Sequence, residues 1–512
     1  MVMNLEKLEK GLEKIYQSLL SHDPINNPQL SSIDKRYRES AINLYRYIIL
    51  RSMDIRKIQW RLSELGISSL GSGAGYVLSN VSNALMLVKL LHGKSWEKDQ
   101  NPVTIGYMGS QRLLLKHVNA LFKSNKKVHY TKIMVTMPDE AAENLELLKE
   151  LMVSGMQIAR INLSHGDITL WKKMISNINT ASKTLAHPIK IYMDLPGPKI
   201  RVVDIISSKK TFYKKKKKNG LKINDGNILF LQKGACTSQN DKELLDGDSK
   251  IPKIIVSLPQ IIDDLEKGHR VFFDDGSIEA VAIAKSNDGI KIKIKHAYKK
   301  KLKLYKGINL PDTTLSLPSL TKEDIELLPF ISKYADMLGY SFVRKPEDVT
   351  QLYNELDKLN NTSCGVVFKI ENREAFENLP LILFEAMKNR NIGVMIARGD
   401  LAVEVGFERV SEVQNQILLL CEAAHIPVIW ATQVLDQLAK KGIATRAEIS
   451  DATISGQAEA VMLNKGPHIT EAVIVLKGIL KRMSSHKLKK KSILRALEVA
   501  KNSLNKINKY GL

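Results

Sequence analysis

Residues 365–400 read GVVFKIENREAFENLPLILFEAMKNRNIGVMIARGD. Two short runs rich in β-branched residues, 365–370 and 392–397, flank an amphipathic stretch of helix length. That is the pattern of a strand, a crossover helix and a second, parallel strand. The same rhythm continues on both sides, with further runs at 131–137, 157–164, 189–194, 336–343, 427–432 and 458–464. The total is eight, and each except the third leads into a helix-like segment. After Asp194 the texture changes, from about 202 to 308, to closely spaced β-runs (227–231, 253–258, 270–273, 290–294) with turn signals such as Asp274-Asp275-Gly276-Ser277. Setting that insertion aside leaves about 245 residues between 131 and 482, close to the roughly 250 of a closed (β/α)8 barrel. The expected fold class is therefore α/β: a TIM-type (β/α)8 barrel with a β-rich lid inserted in its third βα loop.

The flanks read differently. Leu5, Leu8, Leu12, Ile15 and Leu19 recur at three- and four-residue steps, a seam for packing against another helix. A second helical run covers about 40–65 and ends in a glycine cluster at 66–75, read as a helix–helix turn because no β-run or phosphate-loop spacing precedes it. Ile493, Leu497, Ala500, Leu504 and Ile507 mark one face of a basic C-terminal helix. The expected organisation is an N-terminal α-helical region (1–127), the catalytic barrel (128–201 and 309–482), an inserted β-barrel lid (202–308) and a basic helix (483–512).

Composition bounds the function. The 512 residues are 44 % hydrophobic and 26 % charged, a globular mix with room for about three domains. The net charge of +23 admits nucleic acid, an anionic membrane surface or phosphorylated small molecules as partners. No stretch approaches the roughly 18 uncharged apolar residues of a spanning helix, so no membrane partner is expected. The first ten residues lack a signal-peptide centre. Cys236, Cys364 and Cys421 are too scattered for a disulfide framework or zinc cluster, and a reducing cytoplasm is the expected setting. The lysine run at 214–218 reads as an exposed loop.

A barrel of this kind carries its reactive side chains at the C-terminal ends of the strands. Those ends supply Arg160 through His165, Asp194, Lys369-Ile370-Glu371, Ala397-Arg398-Gly399-Asp400 and Ala431-Thr432-Gln433. Glu371 and Asp400 offer hard carboxylate oxygens on adjacent strands, suited to a magnesium ion completed by waters and substrate oxygens. Lys369, one strand repeat before Glu371, points the same way, and Arg160 adds a planar fork for phosphate. A cation site with Arg and Lys around one point is what phosphoryl transfer needs.

At this point the chain resembles the pyruvate kinase family. Thr131-Lys132-Ile133, the stretch from Ala159 to Gly166, Asp194 with Gly197-Pro198, Lys369-Ile370-Glu371-Asn372, Ala397-Arg398-Gly399-Asp400-Leu401, Ala431-Thr432-Gln433 and Thr445-Arg446-Ala447-Glu448 occur in that family's order. The resemblance implies transfer of the phosphoryl group of phosphoenolpyruvate to ADP, with magnesium as cofactor. It implies that Lys369 stabilises the phosphoryl group, Arg160 holds phosphate, and Glu371 with Asp400 binds magnesium. It further implies that Gly399, Asp400 and Thr432 hold the substrate carboxylate, with Thr432 near the carbon to be protonated. Asn162, Ser164, Asp194 and the Leu195 carbonyl match the family's potassium ligands, and Pro138, His165 and Arg201 match positions lining the ADP site. A homo-oligomer is expected, and no specific nucleic-acid partner.

Three departures qualify this. Lys199 stands where potassium-dependent members carry glutamate, so its ammonium is expected to make potassium dispensable. Leu463-Asn464-Lys465-Gly466-Pro467 replaces a Ser-Gly-Glu-Thr stretch, placing an amide where a serine serves proton delivery. Thr136-Met137-Pro138 shortens the first strand's Thr-Ile-Gly-Pro. The chain runs only 30 residues past residue 482, so the family's C-terminal effector domain is expected to be missing. Two other classes remain open at this level: a magnesium-dependent lyase or aldolase acting on a 2-oxo acid, and a non-enzymatic basic binding protein.

Overall fold

The computed structural model describes residues 5–21, 32–96, 104–124, 130–206, 220–233, 251–360, 363–484, 487–488 and 491–492. Eight parallel strands close into a barrel: β1 (Lys132–Thr136), β2 (Met156–Asn162), β3 (Lys190–Asp194), β13 (Met337–Tyr340), β14 (Gly365–Ile370), β15 (Ile392–Ala397), β16 (Val428–Ala431) and β17 (Ala460–Leu463). Each pairs with the next, and β17 closes on β1 with Lys132 opposite Ala460. The strands are almost wholly buried because helices cover the outer face while side chains fill the inner one. Strand periodicity sorts the interior into layers. Met134, Ile158, Tyr192, Met337, Val367, Met395, Ile429, Ala460 and Met462 form an apolar interior cluster. One repeat further along three of these strands come Arg160, Asp194 and Lys369.

Between β3 and β13 the chain forms β4 (Val202–Ile206), β5 (Leu221–Lys222), β6 (Ile228–Gln232), β7 (Lys253–Val256), β8 (Arg270–Phe273), β9 (Ile278–Ser286), β10 (Gly289–Ala297), β11 (Lys301–Leu302) and β12 (Ile308–Asn309). Seven of them pair in the order β12-β8-β9-β10-β6-β7-β4 as a sheet rather than a closed barrel. Its two ends are drawn together where Ile308 N–H donates to the Ile200 carbonyl and Val202 N–H to that of Lys306. The sheet has its own apolar core, including Val202, Leu229, Ile254, Val271, Phe273 and Ile292.

The N-terminal region is helical: α1 (Leu5–Ser21), α2 (Arg38–Arg51), α3 (Arg56–Glu64), α4 (Val77–Leu91) and α5 (Tyr107–Leu121). The seam Leu8, Leu12, Ile15 and Leu19 is buried, with α1 packed on α4. The run predicted over 40–65 is two helices, α2 and α3. The stretch Ala74–Leu91 is long and apolar enough to cross a membrane, contrary to the expectation from the sequence, but half of it is buried inside the molecule. It packs against α1 and α2.

Helix α5 closes the floor of the barrel. Its Leu114, Val118 and Leu121, with Phe122, join the interior cluster of strand residues. A Cβ on Gly365 would lie 2.7 Å from Leu121 Cδ1, and one on Gly393 would lie 2.6 Å from Leu121 Cδ2. These two glycines, at the lower ends of β14 and β15, make the space the plug occupies. His117 sets Nδ1 2.8 Å from the His425 carbonyl and Nε2 3.1 Å from that of Arg36, and its one ring N–H donates to one of them.

The tail departs from expectation. The last barrel helix ends at Met483, and the described residues beyond it form a small antiparallel pair, β18 (Lys487–Leu488) with β19 (Lys491–Ser492). Lys487 and Lys491 would be neighbours of like charge on a helix face, which disfavours the helical alternative. The apolar face predicted at 493–507, the lysine run at 214–218 and Cys236 lie outside the described residues.

Candidate active site

The polar upper layer is organised around Asp194, at the end of β3 and 1 % exposed. The Arg160 guanidinium donates from Nε to Asp194 Oδ2 at 2.5 Å and from Nη1 to Thr136 Oγ1 at 2.9 Å. The Tyr192 hydroxyl donates to Asp194 Oδ1 at 2.6 Å. Burial alone would raise the Asp194 carboxyl, but Arg160, Lys369 and these hydrogen bonds hold it below the ordinary range.

Lys369, also buried, reaches three groups. Its Nζ lies 3.0 Å from Glu371 Oε1 and 3.7 Å from Asp194 Oδ1, and donates to Ser341 Oγ at 2.8 Å. Burial works against its charge, yet the two carboxylates outweigh it and the ammonium is held above its usual range. The Ser341 hydroxyl in turn donates to the Leu195 carbonyl at 2.7 Å. Glu371 accepts the Phe342 N–H on Oε2 at 2.7 Å. Its carboxyl is pushed up, first by burial and then by the charge of Asp400, in spite of Lys369.

Asp400 lies in the first turn of the helix Arg398–Val405 after β15. Both of its oxygens meet Lys199 Nζ, at 2.9 and 3.0 Å. Across from it Thr432 adopts φ = 64° and Gln433 φ = 57°, costly for a β-branched residue. The strain is held by two contacts: Gly399 N–H donates to Thr432 Oγ1 at 2.8 Å, and Arg398, itself paired with Asp451, donates to the Thr432 carbonyl. An over-determined left-handed threonine at a strand end marks a functional loop.

Arg160, Asn162, Ser164, His165, Leu195, Lys199, Arg201, Lys369, Glu371, Asp400 and Thr432 line one cleft of about 320 Å³. Asp194 lies beneath it through its contacts with Arg160 and Lys369, and Gly399 adjoins it through Thr432. Pro138, which precedes the short turn Asp139–Ala142, is not among the lining residues. His165 is exposed, yet partial desolvation, then Arg201 and Lys465, lower its pKa. Asn162 Oδ1 accepts the Ser164 N–H at 3.2 Å.

The cleft also holds residues that sequence reasoning passed over. Ser341 lies just past β13, and reading the end of the fourth run as the others were read would have found it. Asp274, Asp275, Tyr305 and Lys306 come from the inserted sheet, and only its fold brings them to the mouth. Asp274 is clamped by Lys299 at 2.6 Å and Lys306 at 2.7 Å.

The donor set suits a small hard cation. Among the described residues no group of three or more His, Cys, Asp or Glu forms a metal cage. Magnesium, however, takes one or two carboxylates and completes its shell with water and substrate oxygens. The mutual repulsion of Glu371 and Asp400 is what such an ion relieves, once Lys199 yields part of its hold on Asp400.

Comparison with known proteins agrees with this geometry. Residues 128–468 match the family model described as pyruvate kinase, barrel domain. The chain belongs to the pyruvate kinase family. It is 34 % identical over 358 residues to a pyruvate kinase of Staphylococcus saprophyticus, covering 68 % of this chain and 56 % of that one. It is 33 % identical over 376 residues to a pyruvate kinase of Bacillus licheniformis, covering 72 % and 59 %. A pyruvate kinase of Staphylococcus aureus gives 33 % over 358 residues, 68 % and 56 %. The chain thus spans little more than half the length of these relatives, and α1 to α5 lie outside the family match. Neither the aldolase nor the binding-protein alternative gains support.

Proposed function

We propose that the cleft transfers the phosphoryl group of phosphoenolpyruvate to ADP, giving pyruvate and ATP. The observation that carries this reading is the Lys369 ammonium, held between Asp194 and Glu371 in a cleft that also presents Arg160. A fixed cation there meets the charge that spreads over the phosphoryl oxygens in transfer. The bond from phosphorus to the enol oxygen breaks, and a new one forms to a terminal β-phosphate oxygen of ADP. That oxygen is already anionic, so no base is needed to activate it.

Each residue has a part in this reading. Arg160, anchored by Asp194 and Thr136, turns its remaining N–H groups to the phosphate. Thr432 stands beside the enolate carbon that takes up a proton, its Oγ oriented by Gly399 N–H. Asn464, at the end of β17, cannot relay that proton as a hydroxyl would. Magnesium held by Glu371 and Asp400 would neutralise phosphoryl and carboxylate oxygens. His165 and Arg201 adjoin the nucleotide side, and the sheet between residues 202 and 308 serves as a lid whose Asp274, Asp275 and Tyr305 face the cleft.

Potassium is dispensable in this reading. Three of the four groups that correspond to potassium ligands already have protein donors: Asp194 from Arg160 and Tyr192, Leu195 from Ser341, Asn162 from Ser164. Lys199 adds a fixed positive charge to the same cleft. A reducing cytoplasm suits the described thiols, since Cys364 and Cys421 are buried and burial pushes Cys364 up to about 12.

The test is formation of pyruvate from phosphoenolpyruvate and ADP with magnesium, followed by a coupled lactate dehydrogenase assay. Absence of turnover above the uncatalysed rate overturns the proposal.

A further inference from the structure

Both segments that join the lid sheet to the barrel reach Asp400. Lys199 does so on the outgoing side. On the returning side Asn309, in β12, donates from Nδ2 to Asp400 Oδ1 at 3.3 Å and to Glu404 Oε1 at 3.2 Å. Asn309 is 5 % exposed, and β12 pairs with β8, setting Asn309 opposite Phe272. The side chain that touches Asp400 therefore belongs to the lid sheet, while Asp400 belongs to the barrel.

The orientation of the Asn309 carboxamide is determined by its neighbours. Asp400 Oδ1 is a carboxylate oxygen, so reversing the group would set the amide oxygen against an acceptor there. Held this way, Oδ1 is buried without a donor from the protein. A buried acceptor left bare is expensive, and this one belongs to a side chain in contact with Asp400. A hydrated divalent cation held at Asp400 would offer water hydrogens to such an acceptor.

On the reading of the cleft given above, we infer that Asn309 is a positioning residue for the divalent-cation site. Its Nδ2 fixes the Asp400 carboxylate from the lid side, and its Oδ1 accepts from the cation's hydration water. Asn309 touches neither substrate nor cation directly. Groups of this kind orient a ligand, and their loss weakens metal binding by about 10- to 100-fold.

The test uses manganese as probe, titrated into the whole chain without phosphoenolpyruvate or ADP and read by electron paramagnetic resonance. The wild-type chain is expected to bind one ion tightly. Asn309→Leu, of similar bulk but without donor or acceptor, is expected to raise the dissociation constant by about 10- to 100-fold. Leu121→Ala, destabilising but remote at the barrel floor, is expected to leave it unchanged, which separates positioning from general loosening. A dissociation constant for Asn309→Leu within twofold of wild type overturns the inference. Should that variant not fold, Asn309→Ala is judged by the same criterion. Failure of the underlying reading looks different: a wild-type chain that binds no manganese, or that binds it and makes no pyruvate, overturns the site itself.

Discussion

Replacing Lys369 by methionine keeps the aliphatic stem and removes only the ammonium, so it isolates a charge that sits 3.0 Å from Glu371 and 3.7 Å from Asp194. At an effective dielectric of about 20 the two attractions are worth roughly 5.5 and 4.5 kcal/mol before desolvation. Most of that offsets the cost of burying the ammonium, and breaking such a pair leaves a net loss of about 3–5 kcal/mol. Asp194 keeps Arg160 and Tyr192, whereas Glu371 is left with only the Phe342 N–H among the described contacts. The penalty therefore falls mainly on Glu371, whose carboxyl already lies above its ordinary range. A carboxyl raised in the folded state holds its proton after the unfolded chain has released it, so stability falls as pH rises from the unfolded value, at up to about 1.4 kcal/mol per unit. Lys369→Met is thus expected to lose about 3–5 kcal/mol at pH 8 and measurably less at pH 5. Turnover is expected to drop by at least about 10³-fold. Urea unfolding at both pH values, beside the coupled assay, measures all three quantities. A loss in turnover under tenfold removes Lys369 from the phosphoryl site, and an equal penalty at pH 5 and pH 8 refutes the electrostatic account.

Three further predictions concern other parts of the molecule. Burial and Asp400 push the Glu404 carboxyl up to about 7 against the Asn309 hydrogen bond; by the same sign, Glu404→Gln should gain on wild type between pH 4.5 and 7, reaching up to about 3 kcal/mol by urea unfolding at pH 8, and a flat difference across that window counts against it. Gly393→Ala drives a methyl into Leu121 and should cost about 1–3 kcal/mol, while the double variant with Leu121→Ala should fall short of the sum by at least about 1 kcal/mol; strict additivity means the plug does not press on β15. Turnover in tetramethylammonium chloride should stay within about twofold of that in potassium chloride if Lys199 supplies the fixed charge, and a tenfold or greater requirement for potassium contradicts that role.

The barrel was legible because its strands carry their own signal. The runs at 365–370 and 392–397 coincide with β14 and β15, and the other six fall within three residues of the strands at either end. Strand parity also placed Lys369 and Glu371 on one side of β14. What the pattern could not supply was company. Lys199 and Asp400 are 201 residues apart in the chain, and no local rule pairs them. Lys369 reads as a rim residue with little packing, yet it is enclosed between two carboxylates, because Asp194 and Glu371 converge only when the cylinder closes. Asn309 gave no signal, lying in a two-residue strand after a lysine-rich stretch. In the tail only 487–488 and 491–492 are described, and they pair as strands where a basic helix was expected.

The helical stopper in the barrel floor ties the order of synthesis to the order of assembly. Leu114, Val118, Leu121 and Phe122 leave the ribosome before any stave of the cylinder exists, and the cavity they fill is complete only after β17 has been made, some 340 residues later. Until then that greasy face has no home, and the nascent chain must shelter it against its own helices or a chaperone. A barrel expressed from residue 128 onward would be born with the opposite defect, an open drain lined by Met134, Met337 and Val367.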